Sequence, residues 1–279
     1  MPIGVLALQG AFIEHEKMLR RLCADVREVR QRSDLDGLSG IILPGGESTV
    51  QGRLLRKLHM LEPLRERIQN GMPVLATCAG LILLAQHLDG DETTHLATLP
   101  VTVRRNAYGR QLASFSTTAD VGNLTDFPLV FIRAPYIAAV NDDGALVAEV
   151  NGQGSGAAAG GVSDRFGAPT IEVGGKGGGS PVVEVNSKDS DAAAGVVSDN
   201  GGGAPVVEVN GTTGNASSFG MKDKGGNKPV VEVLCTVKER IVAVRCGVQI
   251  GLAFHPELTE DTRLHETFLE LVKKGNSNL

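Results

Sequence analysis

Tryptophan is absent from this 279-residue chain, and aromatic residues make up only 4% of it. The core must therefore come from Val, Leu, Ile and Ala, within an apolar fraction of 42%, which suits a buried parallel sheet. Cysteine is scarce. Cys23, Cys78, Cys235 and Cys246 show no CxxC spacing and none of the density of a small secreted disulfide scaffold, so a reducing, cytoplasmic setting is expected. Basic charge is not in excess: the net charge is −5 and the pI about 5.7, which removes the electrostatic reason to expect nucleic acid or an anionic membrane as partner. Long apolar runs are missing too. "IGVLAL" at 3–8 lacks the basic flank and length of a signal sequence, and no run approaches the roughly 18 residues of a membrane span. No His, Cys and carboxylate grouping has metal-ligand spacing, and neither GxxxxGK[ST] nor GxGxxG occurs, so no metal, nucleotide or other cofactor is expected.

What is present reads first as alternation. A strand at 3–8 precedes "AFIEHEKMLRRLCA", with Phe12, Leu19, Leu22 and Cys23 at helical spacing. "ADVREVR" is a short strand and "LSGIILPGGEST" a strand entering a glycine turn. "QGRLLRKLH" and "EPLRERIQNG" are helical, with Pro63 opening the second. "MPVLATCAGLILLAQHL" is again strand, turn and helix. This order predicts an α/β fold whose parallel sheet is covered on both faces. Beyond residue 97 shorter β-like runs follow ("LATLPVTVRR", "ASFSTTADV", "PLVFIRAP", "ALVAEV"), predicting antiparallel strands added to one mixed sheet. "IVAVRCGVQIGLAFHPEL" supplies two more strands split at Gly247, and "DTRLHETFLELVKKG" an amphipathic closing helix.

One stretch differs in kind. Residues 151–234 hold 20 of the 36 glycines and a drifting repeat, "PTIEV" from Pro169 and "PVVEV" from Pro181, Pro205 and Pro229. The reading is a globular domain of 1–150 and 235–279 interrupted by a low-complexity insertion at 151–234. That insertion is expected to be a flexible surface loop, with repeats pairing as weak strands as the alternative.

Three short motifs carry chemistry. Cys78 stands where the strand Val74-Leu75-Ala76 turns into a helix near Ala79. Ala76, Ala79 and Gly80 leave room for such an elbow, and a helix N-terminus favours a thiolate and can hold an oxyanion. A packed core cysteine is the competing reading. His255 in "LAFHPEL" is the best-placed base of the six histidines, because Pro256 biases it toward extended backbone and Glu257, two positions on, then lies on its side of the chain. A structural turn would leave the same letters. "PGGEST" at 44–49 follows a strand and opens a helix. It fits either an anion-receiving turn or a plain βα turn capped by Ser48 or Thr49.

Taken in order, "GVLALQGAFIEH", "LPGGEST", "ATCAG", "RRNAYGRQ", "FIRAP" and "AFHPEL" resemble the glutaminase subunit of the pyridoxal 5′-phosphate synthase complex, a class I glutamine amidotransferase. The resemblance covers residues 2–150 and 235–273. It implies a single-domain flavodoxin-like fold, with a mixed, mainly parallel sheet and helices on both faces. It implies Cys78 as nucleophile, His255 as general base and acid, Glu257 as orienter, and the Gly46 and Ala79 N–H groups as oxyanion donors. L-glutamine would lie among Gly46, Glu47, Ser48, Arg105, Ile132 and Arg133. The partner implied is a (β/α)8 synthase subunit in a hetero-oligomer, near the "LQGAF" segment with Gln9, with glutaminase activity weak until that partner is present. Two other functions compete: a peptidase or γ-glutamyl hydrolase on the same elbow, and a non-catalytic scaffold working through its insertion.

Overall fold

The computed structural model describes residues 1–90, 93–105, 114–141, 147–149 and 230–276. The expected insertion, its repeats at 169–173, 181–185 and 205–209, and the 106–111 part of "RRNAYGRQ" lie outside the described residues. All described residues belong to one compact body.

Three buried, mainly apolar runs, Ile3–Leu6, Gly40–Leu43 and Val74–Thr77, make the centre. β1 (Ile3–Leu6) leads into α1 (Phe12–Arg21), β2 (Val26–Val29) and a 3-10 turn at Arg32–Leu35. β3 (Gly40–Leu43) leads into α2 (Ser48–Lys57) and α3 (Leu61–Gln69), and β4 (Val74–Thr77) into α4 (Ala79–Leu84). After α4 come β5 (Ala85–Leu88), β6 (Leu99–Arg104), β7 (Ser114–Val121), β8 (Leu124–Ile132), β9 (Tyr136–Val140) and β10 (Val147–Glu149). β11 (Val231–Val237), β12 (Arg240–Cys246), β13 (Gln249–Leu252), a 3-10 turn at Pro256–Leu258 and α5 (Arg263–Asn276) complete the chain. Every residue of β1, β3 and β4 is buried, as strands covered on both faces require. Each fully buried Leu, Ile or Val there contributes about 1.5–3 kcal/mol.

The sheet runs β2-β1-β3-β4-β13-β12-β9-β6-β5. Its first five strands are mutually parallel in the doubly wound order 2-1-3-4-5. β12 pairs antiparallel with β13, β9 and β11, and β9 with β6. Both faces are covered. A Cβ on Gly40 would meet Val272 at 2.7 Å, so that side of β3 faces α5, whereas Leu43, an odd number of residues on, lies against Gly80 of α4. Among the described residues no helix is long and apolar enough to cross a membrane.

Four expectations need correction. "AQHL" is not the end of a helix. α4 stops at Leu84, Ala85 adopts φ −57° and ψ 133°, and residues 85–88 pair with β6 as a strand. "ASFSTTADV" and "PLVFIRAP" do not join the main sheet but form a separate antiparallel ribbon, β7–β8, tied to it where the Gly122 N–H donates to the Leu234 carbonyl at 2.8 Å. Cys23 lies beyond α1 at φ 54° and is exposed, so it is no part of the helix's inner stripe. The interruption does not extend to residue 234. Val231, Glu232 and Val233, the end of the last PVVEV copy, form the start of β11, antiparallel to β12 and parallel to β10.

Candidate active site

Strands β1, β3, β4 and β13 point the same way, so the segments after them converge at one edge of the sheet. Gln9-Gly10 follows β1, Gly45-Gly46 follows β3, Cys78 follows β4 and His255 follows β13. Because the chain leaves β1 toward β2 on one side and β3 on the other, this edge includes the switch point where doubly wound sheets hold ligands.

Cys78 caps α4 at φ 48° and ψ −99°, a combination L-residues rarely adopt. Its N–H donates to the Leu252 carbonyl at 2.8 Å, which holds the elbow to β13. The residue is 8% exposed, yet it lines a pocket of about 280 Å3, at the small end for ligand sites. Ala79, first residue of α4, has an N–H without an intrahelical acceptor, directly after the thiol.

His255 is carried by β13 and pinned from the ribbon, its N–H donating to the Val130 carbonyl at 2.8 Å. Its Nδ1–H donates to Glu257 Oε1 at 2.7 Å, which leaves Nε2 for Cys78. The contact is made by the 3-10 turn at 256–258 and not, as an extended chain would have it, by i, i+2 alternation. Burial opposes charge on this imidazole, but the hydrogen bonds to Cys78 and Glu257 and both nearby charges override it and raise its pKa to about 10. Burial likewise opposes the Glu257 carboxylate, and His15 and His255 outweigh it, so its pKa is lowered.

Gly45 and Gly46 fill the third side. A Cβ on Gly45 would run into the His255 ring, 2.9 Å from Nδ1, so glycine is what lets the turn approach the imidazole. Three side chains fix this turn. Thr77 Oγ1 accepts the Gly45 N–H at 3.0 Å, Gln9 Oε1 accepts the Glu47 N–H at 2.7 Å, and Gln51 Nε2 donates to the Gln9 and Pro44 carbonyls at 2.8 and 3.2 Å. Neither Ser48 nor Thr49 caps α2. The cap position is Glu47, and Ser48 is buried as the first helical residue.

Of the residues singled out in the sequence, Cys78, His255, Gly46, Glu47, Ser48, Arg105, Ile132 and Arg133 line the one pocket. Glu257 stands behind His255, out of the pocket, and Ala79 contributes backbone only. Arg105 approaches Glu47 Oε1 at 3.4 Å, and Arg133 sits at φ 44° just after β8. A larger hollow of about 720 Å3, lined by residues such as Arg32, Asp36 and Arg67, contains no nucleophile paired with a base. Among the described residues no three or more His, Cys, Asp or Glu are placed to hold a metal.

Two histidines that the sequence reading gave no role, although His15 closes the "GVLALQGAFIEH" stretch, lie against this site. His15 of α1 and His265 of α5 are both fully buried. His15 Nε2 is 3.1 Å from Thr77 Oγ1 and 3.4 Å from Glu257 Oε2, and His15 Nδ1 is 3.0 Å from His265 Nε2. Burial lowers the pKa of both, that of His265 to about 3. Over the window below the ordinary value of 6.5 the folded chain therefore binds fewer protons than the unfolded one. Their contribution to stability is complete above pH 6.5 and is lost as pH falls, on the order of 1 kcal/mol per pH unit for each. His255, with its raised pKa, contributes below pH 6.5 and loses that contribution as pH rises toward 10. Thermal midpoints measured across pH are expected to peak near neutrality and fall on both sides. A His265→Phe variant should show a shallower acid side, and an acid slope unchanged in that variant would contradict the assignment.

The doubly wound order with a cysteine elbow after its fourth strand defines the class I glutamine amidotransferase fold. A solved structure described as a glutamine amidotransferase matches 97% of this chain and 98% of its own, at TM-score 0.64 and 31% identity. A putative GMP synthase component from Thermoplasma acidophilum, 13% identical at TM-score 0.50, shares the fold. The chain belongs to the SNO glutamine amidotransferase family, whose model matches residues 5–162. A pyridoxal 5′-phosphate synthase subunit PdxT from Desulfitobacterium hafniense (strain DSM 10664 / DCB-2) is 40% identical over 278 residues, 99% of this chain and 96% of that one. One from Streptococcus pneumoniae (strain CGSP14) is 50% identical over 157 residues, 55% of this chain and 81% of that one. The first relative is thus close to this chain in length, and a long 151–234 stretch is not peculiar to it.

Proposed function

We propose that this chain hydrolyses L-glutamine to L-glutamate and ammonia and hands the ammonia to a synthase subunit that builds pyridoxal 5′-phosphate. The observation that carries the reading is that Cys78 and His255 line one pocket sized for one amino acid, with Glu257 held on His255 Nδ1 behind it. At its mouth Glu47 and Arg105 present both signs of charge, as the α-ammonium and α-carboxylate of an amino acid require, with Arg133 a second cation for the carboxylate.

In this mechanism Cys78 Sγ, as the thiolate of a Cys78–His255 ion pair, attacks the side-chain carboxamide carbon. The carbonyl oxygen takes up negative charge toward the Gly46 and Ala79 N–H groups. His255 gives its proton to the leaving nitrogen, so ammonia departs and a γ-glutamyl thioester remains. Water then attacks the thioester carbon, its proton passes to His255, and the C–S bond breaks to return the thiolate and release glutamate. Glu257 keeps its proton-accepting oxygen on Nδ1–H throughout, fixing the ring's tautomer.

Ammonia serves synthesis only if it is passed on before it is protonated and lost, which is the physical reason for a partner. The partner in this reading is the (β/α)8 synthase subunit, met in the cytoplasm in a hetero-oligomer. Ile132 and Leu258, 40% and 43% exposed, give the pocket's lip apolar surface for it to cover. The test is ammonia release from glutamine by the full chain with and without that subunit. Hydrolysis is expected to be slow alone and an order of magnitude or more faster in the complex. Faster cleavage of peptides or polyglutamyl substrates than of glutamine would favour the peptidase or γ-glutamyl hydrolase reading instead.

A further inference from the structure

We propose that His15 is a positioning residue for the glutaminase reaction: a neutral imidazole whose Nε2–H faces Glu257 Oε2 and Thr77 Oγ1, with Nδ1 held by His265. This rests on the reading of Cys78, His255 and Glu257 as the reacting groups and their orienter.

The tautomer follows from counting donors. His265 Nδ1 is buried without a hydrogen-bond partner, whereas His265 Nε2 meets His15 Nδ1 at 3.0 Å. An unpaired ring lone pair in the interior costs less than an orphaned N–H, so His265 carries its proton on Nε2 and donates to His15 Nδ1. His15 then carries its own proton on Nε2, hydrogen-bonded to Thr77 Oγ1 at 3.1 Å and facing Glu257 Oε2 at 3.4 Å, a buried oxygen with no hydrogen-bond partner of its own. The opposite arrangement would let the Thr77 O–H donate to His15 Nε2, but it would aim a lone pair at the Glu257 carboxylate and bury the His265 N–H unpaired, and the carboxylate tips the balance. Burial keeps both rings neutral, against the pull of the Glu257 charge.

His15 thereby closes a circuit. Glu257 Oε1 holds the Nδ1–H of His255, the His255 ring packs on Gly45, the Gly45 N–H donates to Thr77 Oγ1, and Thr77 and Glu257 both meet His15 Nε2. The carboxylate behind the base and the turn that carries Gly46 are thus referred to one side chain, itself anchored through His265 to α5. The ionisable groups around Glu257 are His255 on its own turn, His15 from α1 and His265 from α5 behind it, with Cys78 across His255 and Glu14 beside His15 on α1.

His15→Leu removes the N–H that faces Glu257 Oε2, so the Glu257 carboxylate protonates at higher pH and His255 loses its partner sooner on acidification. In the complex with the synthase subunit kcat for glutamine should fall roughly tenfold with KM unchanged. The acid limb of its pH profile should rise by about one pH unit. The acid limb of Cys78 alkylation by iodoacetamide, read on the Cys78 peptide of the full chain, should move in step. His15→Gln, whose amide N–H reaches the place of Nε2–H, should restore both. A folded His15→Leu with the wild-type alkylation profile, or a His15→Gln as impaired as His15→Leu, overturns the proposal. Should the leucine variant not fold, nitrogen-15 NMR of the wild-type imidazoles decides: a neutral His15 protonated on Nε2 supports it, and an imidazolium or a proton on Nδ1 overturns it. Alkylation needs no glutamine, so a shifted profile in a chain that hydrolyses none would sink the proposed function and leave His15's role standing.

Discussion

Replacing Cys78 with alanine is expected to abolish glutamine-dependent synthesis by the complex, a loss of ~10^4-fold or more, because the base and the oxyanion donors cannot act on a carbon that nothing attacks. Ammonium salts supplied in place of glutamine should restore synthesis to the wild-type rate, since the synthase subunit then receives its nitrogen directly. The pairing of these two outcomes is what makes the experiment decisive. Loss with glutamine but not with ammonium places Cys78 in ammonia production alone. Loss with both would mean that the substitution disturbs assembly, and retention with both would return the chain to the scaffold reading. Alanine has no trouble fitting, as it is smaller than the thiol it replaces in a site already 8% exposed.

Gly45→Ala has the second largest expected effect, and it acts without touching any reacting atom. The added methyl would overlap the His255 ring, a rigid and buried neighbour pinned by Glu257 and by the Val130 carbonyl. Either the ring moves from Cys78 or the turn withdraws and takes the Gly46 N–H with it. A displacement approaching 1 Å at such a site costs on the order of 100-fold in kcat, and overpacking removes about 1–3 kcal/mol of stability. Steady-state kinetics on the complex with a parallel melting curve would check this. A variant within a few-fold of wild-type kcat would show that the His255–Gly45 approach is not needed.

The parts of the fold that were legible in the sequence are those whose burial leaves a one-dimensional trace. β1, β3 and β4 are continuous apolar runs because both faces are covered, and glycines mark where β3 ends and β12 turns into β13. "LILLAQHL" misleads for a related reason: Leu81 to Ala85 are all buried, so periodicity does not separate helix from strand there, and Gln86 and His87 alone are too short to mark where α4 gives way to β5. The β7–β8 ribbon alternates as any half-buried strand pair does, and nothing in that pattern says which sheet it joins.

At the candidate site the sequence offered Cys78, Gly46 and His255 because each sits next to a break in the backbone pattern, at an elbow, a glycine turn and a proline. His15 and His265 sit at inner positions of regular amphipathic helices, 250 residues apart, where a histidine looks like any other core residue. The signal that could have found them is the polar interruption of two otherwise apolar stripes, and it acquires meaning only when the fold brings both beside Glu257.

The β10–β11 pair has a consequence for how such a chain changes length. Val147-Ala148-Glu149-Val150 and Val230-Val231-Glu232-Val233 are near-copies in sequence; Val231–Val233 occupy the rung beside β12, and Val147–Glu149 lie parallel on its outer side. β10 and β11 are parallel, so a two-residue hairpin cannot join them. A shorter chain must give up one copy, and joining Val150 to Leu234 writes Val-Ala-Glu-Val-Leu-Cys-Thr-Val where Val-Val-Glu-Val-Leu-Cys-Thr-Val now stands. The joined sequence keeps the alternation that β11 shows against β12. The two copies differ at one residue of four, so either sequence carries the alternation that the rung beside β12 takes.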